Sequence, residues 1–342
     1  MMVGVAGAAI KGEITMKLSQ LSAVLFIACA LAACGSKEQG PSQPAPGSTA
    51  SAPKAAPSGN ASAEEVAREK RGNVKCPAKI KTPPRAADAP VDDVVGVRPG
   101  MTYEEAANVV MCSHDLMVVS EPVTRGFNIQ TYGETLRQGF TARLAEPRIQ
   151  KTGQEIMKEM QDNMMARANN AVRYDLQPGQ SKWNVTTMGL PGQEKVIAAG
   201  REEWFAEGKN PTISGVADAL LKKYGTPSVD QDDPRSMRFL RWVYDPFGRL
   251  ATETSPIQMQ CQGTGANGGV SLSPDCGIVV EAQIQRLQAN PELARSMVVG
   301  VVDQAGGYEL LTSVEQSLEA AEQQKRAKAV EEAAKNADAP TL

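Results

Sequence analysis

Cys112, Ser113, His114 and Asp115 stand side by side, and His114 is the single histidine of the 342-residue chain. A thiol beside an imidazole is the pair from which a cysteine nucleophile and its base are made. A Ser-His-Asp hydrolase would have to use the same histidine, and no G-x-S-x-G elbow accompanies it. Adjacent carboxylates at Glu104-Glu105, Glu202-Glu203 and Asp232-Asp233 could serve acid–base work in a cleft. Neighbours on a strand or loop point different ways, however, and solvated surface is the default reading. Gly263 to Gly269 has the glycine to cradle a phosphate. It lacks a following Lys-Ser or Lys-Thr and opens no helix, which rules out a P-loop. Cys76, Cys112, Cys261 and Cys276 show no CxxC-like spacing and no histidine partners, so no metal site and no cofactor are expected.

The remaining cysteines lie near the start. Met16-Lys17 gives a short positive segment, and Leu21 to Ala30 gives an apolar core too short to span a bilayer. Leu31-Ala32-Ala33-Cys34 then resembles the lipobox of bacterial lipoproteins. The resemblance implies a diacylglycerol on the Cys34 thiol, cleavage before it, and acylation of the new amino group. Two or more acyl chains tether stably where one is marginal. Glu13 sits in a region that should be basic, so Met16 is the expected start and residues 1–33 the expected signal. Gly35 stands where an Asp would favour retention at the inner membrane. The resemblance therefore implies the inner leaflet of the outer membrane, with the protein facing the periplasm.

With Cys29 lost and Cys34 acylated, four cysteines remain, an even count suited to two disulfides in an oxidising compartment. Three pairings are possible. Cys76–Cys112 with Cys261–Cys276 is the one in which each pair flanks a single segment. Closing about 37 and about 16 residues would contribute roughly 4 and 3 kcal/mol on the loop-entropy view. An oxidised Cys112 cannot attack a substrate. Removing Lys11, Glu13 and Lys17 with the signal moves the formal charge from −3 to −4. That mild acidity, with no basic stripe, gives no footprint for nucleic acid. At 4% aromatic residues the chain lacks a platform for stacking carbohydrate.

The elements that would position these groups follow from local chemistry. Gly35 to Ser62 is Ser, Pro, Gly, Ala and Gln without apolar period, a tether, and residues 34–75 are taken as an anchored linker with a helical turn at Ala63–Lys70. Val94–Val97 reads as a short strand. Thr102 and Glu105 fit a capping box for the next helix. Strands are expected at Leu116–Val119, and at Phe127–Tyr132 pairing with Thr135–Leu144. Arg148–Arg173 reads as a helix whose Ile156, Met160, Met164 and Ala168 form a core-facing stripe. A methionine stripe is also the composition of an adaptable binding surface. Trp183–Thr187 and Glu194–Phe205 form a hairpin around Leu190-Pro191-Gly192-Gln193. A helix at Ser214–Tyr224 stops at Gly225 and Pro227. Strands follow at Phe239–Tyr244, Ile257–Cys261, Gly277–Leu287 and Ser296–Val302, with a turn at Asp245–Gly248. Thr312 with Glu315 is the expected cap of a solvated helix to about Asn336.

Gly100-Met101-Thr102-Tyr103-Glu104-Glu105-Ala106 resembles the opening of the small outer-membrane lipoproteins called SmpA, OmlA or BamE. Ala219-Leu220-Leu221 running into Tyr224-Gly225-Thr226-Pro227, with Arg241-Trp242-Val243-Tyr244 beyond, resembles the other half of that signature. In the family the opening and the Gly-Thr-Pro are joined within one helix, inside a layer of two helices and three strands, whereas here they are over a hundred residues apart. The expected class is α+β, an antiparallel sheet with helices packed on one face, as two related layers or one fused one. The expected divisions are 76–210 and 211–311 as α+β domains and 312–342 as helix and tail. The expected role is a non-enzymatic, membrane-anchored scaffold or assembly accessory that binds a periplasmic or outer-membrane protein. An enzyme or inhibitor acting on cell-wall material is the alternative. The carboxylate pairs would mark the enzyme if they converged in a cleft, and an exposed apolar patch would mark the binding protein.

Overall fold

The computed structural model describes residues 59–77, 84–123, 126–168, 176–263, 265 and 269–337. Cys34, the signal, most of the linker and part of the glycine-rich passage lie outside them. The described chain is α+β, with an eight-stranded antiparallel sheet in the order β1-β2-β3-β4-β8-β7-β6-β5. The strands are β1 (Met117–Val123), β2 (Gly139–Leu144), β3 (Ser181–Met188), β4 (Lys195–Trp204), β5 (Val229–Asp232), β6 (Met237–Val243), β7 (Ile278–Leu287) and β8 (Asn290–Asp303). The helices are α1 (Ala63–Arg71), α2 (Tyr103–Met111), α3 (Gly153–Ala168), α4 (Ile213–Tyr224), α5 (Ile257–Gln260) and α6 (Gln304–Asn336).

The division at residue 210 does not separate two sheets. Each half supplies a helix followed by four meandering strands, α2 with β1–β4 and α4 with β5–β8, and β4 is bonded to β8. Gly200 faces Gly300 across that seam. The two helices begin alike. Thr102 and Thr212 each accept the amide three residues on, and each bridges to a strand of its own half, at Lys195 and Leu293. Glu105 completes the box at Thr102 by accepting its amide, satisfying an orphan donor at both levels.

Both helices lie on one face, over a core containing Phe140, Trp183, Leu240, Trp242, Ile284 and Val301. Period-two alternation sends the next residues to the other face. There Ala198, Val243, Val279 and Val302 meet Cys261, Cys276 and Ala251. The first turns of α6 cover more of that face through Val314 and Leu318. The last helix therefore starts at Asp303, whose carboxylate caps it, rather than at Thr312, and only its later part is solvated. At 33 residues it is about 50 Å long.

Four local expectations are corrected. Val94 and Val97 exchange backbone hydrogen bonds around Val95-Gly96, a tight turn and not a strand. Val95 has φ 45°, a costly conformation for a β-branched residue. Residues 127–132 form a loop, and Phe127, Ile129 and Tyr132 pack towards Leu136 and Leu318. Residues 257–261 form the single turn α5, closed by Cys261 N–H on the Ile257 carbonyl. Order begins before Cys76, because α1 buries Val66 and Ala67 against Val118 and Ala145.

Both disulfides are the pairs Cys76–Cys112 and Cys261–Cys276. The first ties the segment after α1 to the C-cap of α2, and the second closes the α5 loop over the sheet. Non-reducing peptide mapping should recover these two linked peptides; a cross-pair would contradict the topology of both halves.

Candidate functional site

The side chains singled out for chemistry are dispersed, and most are engaged in structural work. Cys112 is oxidised. His114 Nδ1 accepts the Leu116 amide at 3.0 Å, which shapes the turn into β1. Glu105 is occupied by its cap, and backbone and hydroxyl bonds from Thr102 hold its carboxyl below the usual range. Glu104 pairs with Arg137 at 2.8 Å. Glu202 accepts the Trp204 indole N–H at 2.9 Å, and Glu203 pairs with Arg201 at 2.9 Å. Asp232 pairs with Arg286, while Asp233 accepts from Arg235 N–H and Ser236 Oγ. Among the described residues no group of three or more His, Cys, Asp or Glu is placed to hold a metal.

Three open grooves of similar size indent the surface. One of 660 Å³ lies between α2 and the Cys76 segment, lined by Arg71, Asn108 and Cys112. One of 630 Å³ lies within the 126–138 loop. One of 600 Å³ runs over β5–β7 beside α5, lined by Gln231, Phe239, Arg241, Met259 and Gln283. None gathers the carboxylate pairs into one site.

A charged cluster does form where sequence reading saw none. Arg137 reaches Glu194 through two bonds of 2.9 and 2.8 Å, takes Glu104 on its third nitrogen, and stacks 4.3 Å above the Tyr103 ring. Glu194 is only 2% exposed. Burial pushes its carboxyl up, but Arg137 and backbone amides outweigh burial and leave it below its ordinary value. Tyr103 is moved the other way, its phenol raised mainly by burial. The arrangement fastens the 127–138 loop to α2 and to the start of β4. It is a structural knot in which Arg137 uses all three of its nitrogens.

A different kind of site stands on α3. Thr152 and Glu155 cap the helix reciprocally, so its start is well specified. Beyond that, each of its described side chains is exposed except the half-buried Asn163. The stripe expected in the core therefore faces water. Ile156 is 47% exposed, Met157 67%, Met160 57% and Met164 66%. At 100° per residue these four fall within an arc of about 100°. Ile149, just before the helix, adds to the exposed apolar surface. The periodicity correctly reports an amphipathic helix, but nothing in a local pattern says whether a face is covered. The signal that was available is composition: four methionines among the nine residues from Met157 to Met165 suit adaptable contact better than a specified core.

An exposed helix of this length also carries an energetic message. Helices shorter than about 12–15 residues are marginal in water without tertiary packing. At 16 residues α3 sits close to that limit, with its apolar arc uncovered. Burying such an arc in a partner would supply the packing that the rest of the fold withholds.

Comparison with family models, with curated proteins and with solved structures finds no match to this chain.

Proposed function

We propose that this chain is a non-enzymatic lipoprotein of the cell envelope, anchored through Cys34 and acting as a protein-binding accessory. The observation that carries the reading is the uncovered methionine face of α3. Amphipathic helices of this kind are recognised by laying their apolar side chains into a groove on another protein. The oxidised cysteine pairs fit an exported, periplasm-facing setting. The resemblance to the SmpA/OmlA lipoproteins agrees with an outer-membrane assembly role, and the repeated helix-plus-four-strands layout fits a scaffold.

Two measurements test the parts separately. Cys34→Ala should leave the chain unprocessed and unlabelled by a fatty-acid probe; normal labelling refutes the anchor. For the docking face, Met157→Gln with Met160→Gln and Met164→Gln keeps the helix propensity and removes the apolar arc. Co-purification of the envelope partner should fall at least about 10-fold, as expected when a contact worth about 1.4 kcal/mol or more is lost. Undiminished recovery would refute the role of α3.

A further inference from the structure

We propose that α3 carries a thioether site for a soft monovalent cation, Cu(I) in biology and Ag(I) as its redox-inert analogue. Met157, Met160 and Met164 stand at i, i+3 and i+7. That spacing returns them to one side of the helix within an arc of about 60°. Side chains three and four apart have Cβ atoms about 5–6 Å from each other. Methionine has three rotatable bonds and a polarisable sulfur, so Met160 can share one ion with neighbours above and below. All three side chains are more than half exposed, so an ion reaches them without opening the core. Met165 adjoins the set as a fourth thioether and is 57% exposed.

The choice of metal follows from what the face lacks. Thioethers favour Cu(I), whereas carboxylates and carbonyls suit hard cations. The carboxylates of α3, Glu155, Glu159 and Asp162, project from the opposite arc, and Glu155 and Glu159 are taken by Thr152 and Lys151. A hard divalent ion therefore finds no carboxylate beside the sulfurs. Binding is a plain ligand exchange in which sulfur lone pairs replace solvent on the ion, with no electron transferred.

The site and the docking face make different demands on the same residues. The ion needs sulfur and not merely apolar surface, so leucine keeps the apolar character of the face and removes the donors. The test is a titration of Ag(I) nitrate, without reductant, into the full chain in mild detergent. Cys29→Ser and Cys34→Ser are present in every sample so that free thiols do not contribute. One Ag(I) per chain is expected, with the methyl carbons of Met157, Met160 and Met164 shifting together. Met157→Leu with Met160→Leu and Met164→Leu should weaken binding at least 10-fold while leaving helix content unchanged. Met259→Leu, an exposed methionine alone on α5, should have no effect. Cu(I), added anaerobically as its acetonitrile complex, should displace Ag(I), and Zn(II) should leave the three methyls unmoved. Absence of Ag(I) uptake, uptake unchanged in the triple leucine variant, failure of Cu(I) to displace it, or Zn(II) shifts at the same methyls would each overturn the proposal.

Discussion

Trp242→Ala should lower the unfolding free energy by about 4 kcal/mol, the upper range for truncating a buried aromatic. Trp242 is fully buried on β6 under α4. Its ring lies 5.1 Å from Tyr224, and its indole N–H donates to the Gly225 carbonyl at 2.9 Å. The side chain thus fills the space between helix and sheet and also satisfies the carbonyl where α4 ends. Trp183 is equally buried in the other half, but its Nε1 finds no partner among the described residues. The conservative variants should therefore differ. Trp242→Phe loses the bond to the Gly225 carbonyl and costs about 0.5–1.5 kcal/mol beyond the lost volume, whereas Trp183→Phe removes an unsatisfied donor and costs less. Equilibrium denaturation of the four variants checks this, and equal losses in the two Phe variants would contradict the hydrogen-bonding account.

Arg137→Ala should cost about 3 kcal/mol at neutral pH. Removing one partner of a buried pair leaves the other charge uncompensated, for which about 3–5 kcal/mol is usual. The low end applies because Arg137 is itself a third exposed. The effect depends on pH with a definite sign. In the parent protein the Glu194 carboxyl is held below its ordinary value of 4.5. Its contribution is fully present above the unfolded value and is lost as pH falls through the folded one. Without Arg137 burial is opposed only by the backbone amides and the carboxyl moves up towards or past its ordinary value, so ionising it contributes less stability to the variant as pH rises. The gap between parent and variant should be widest near pH 7 and close as pH falls through the parent's lowered value, below which the carboxyl is neutral in both. Arg137→Lys should recover only part, because a single ammonium cannot reproduce the two-pronged bond to Glu194 while also reaching Glu104. A gap that persists unchanged into acid would show that Arg137 acts through packing on Tyr103 instead.

The parts of the fold legible in the sequence are those fixed by nearby residues. Thr102 with Glu105 marks the start of α2, Gly225 and Pro227 mark the stop of α4, and the alternation of Trp183, Val185 and Thr187 marks β3. The disulfide pairs were legible because each closes one segment. The seam from β4 to β8 was not legible. It joins strands about a hundred residues apart, and no local pattern reports a partner at that distance. Local alternation also misled at Phe127, Ile129 and Tyr132, whose apolar side chains serve a loop that rests against α6. At Val94–Val97 three valines suggest a strand, yet the backbone reverses through a positive φ at Val95 that β-branched residues rarely adopt.

The candidate site was half legible. Its helix and apolar stripe follow from the sequence, but the helix begins at Gly153 and not at Arg148, behind a Thr152–Glu155 cap that went unread, and the destination of the stripe was misplaced. An amphipathic pattern says that a face should be covered. It does not say whether the cover is the rest of the chain or another molecule. The Arg137 knot was invisible for a different reason, because it assembles Tyr103, Glu104, Arg137 and Glu194 from three separated segments.

The central claim is that α3 meets a protein partner through its methionine face. The most direct measurement places a photo-crosslinking amino acid at position 160 in cells, with the same probe at position 247 for comparison. Phe247 is 83% exposed on a turn well outside α3. A discrete protein adduct from position 160 that is absent from position 247 is the predicted result. No adduct at 160, or the same adducts from both positions, would contradict it.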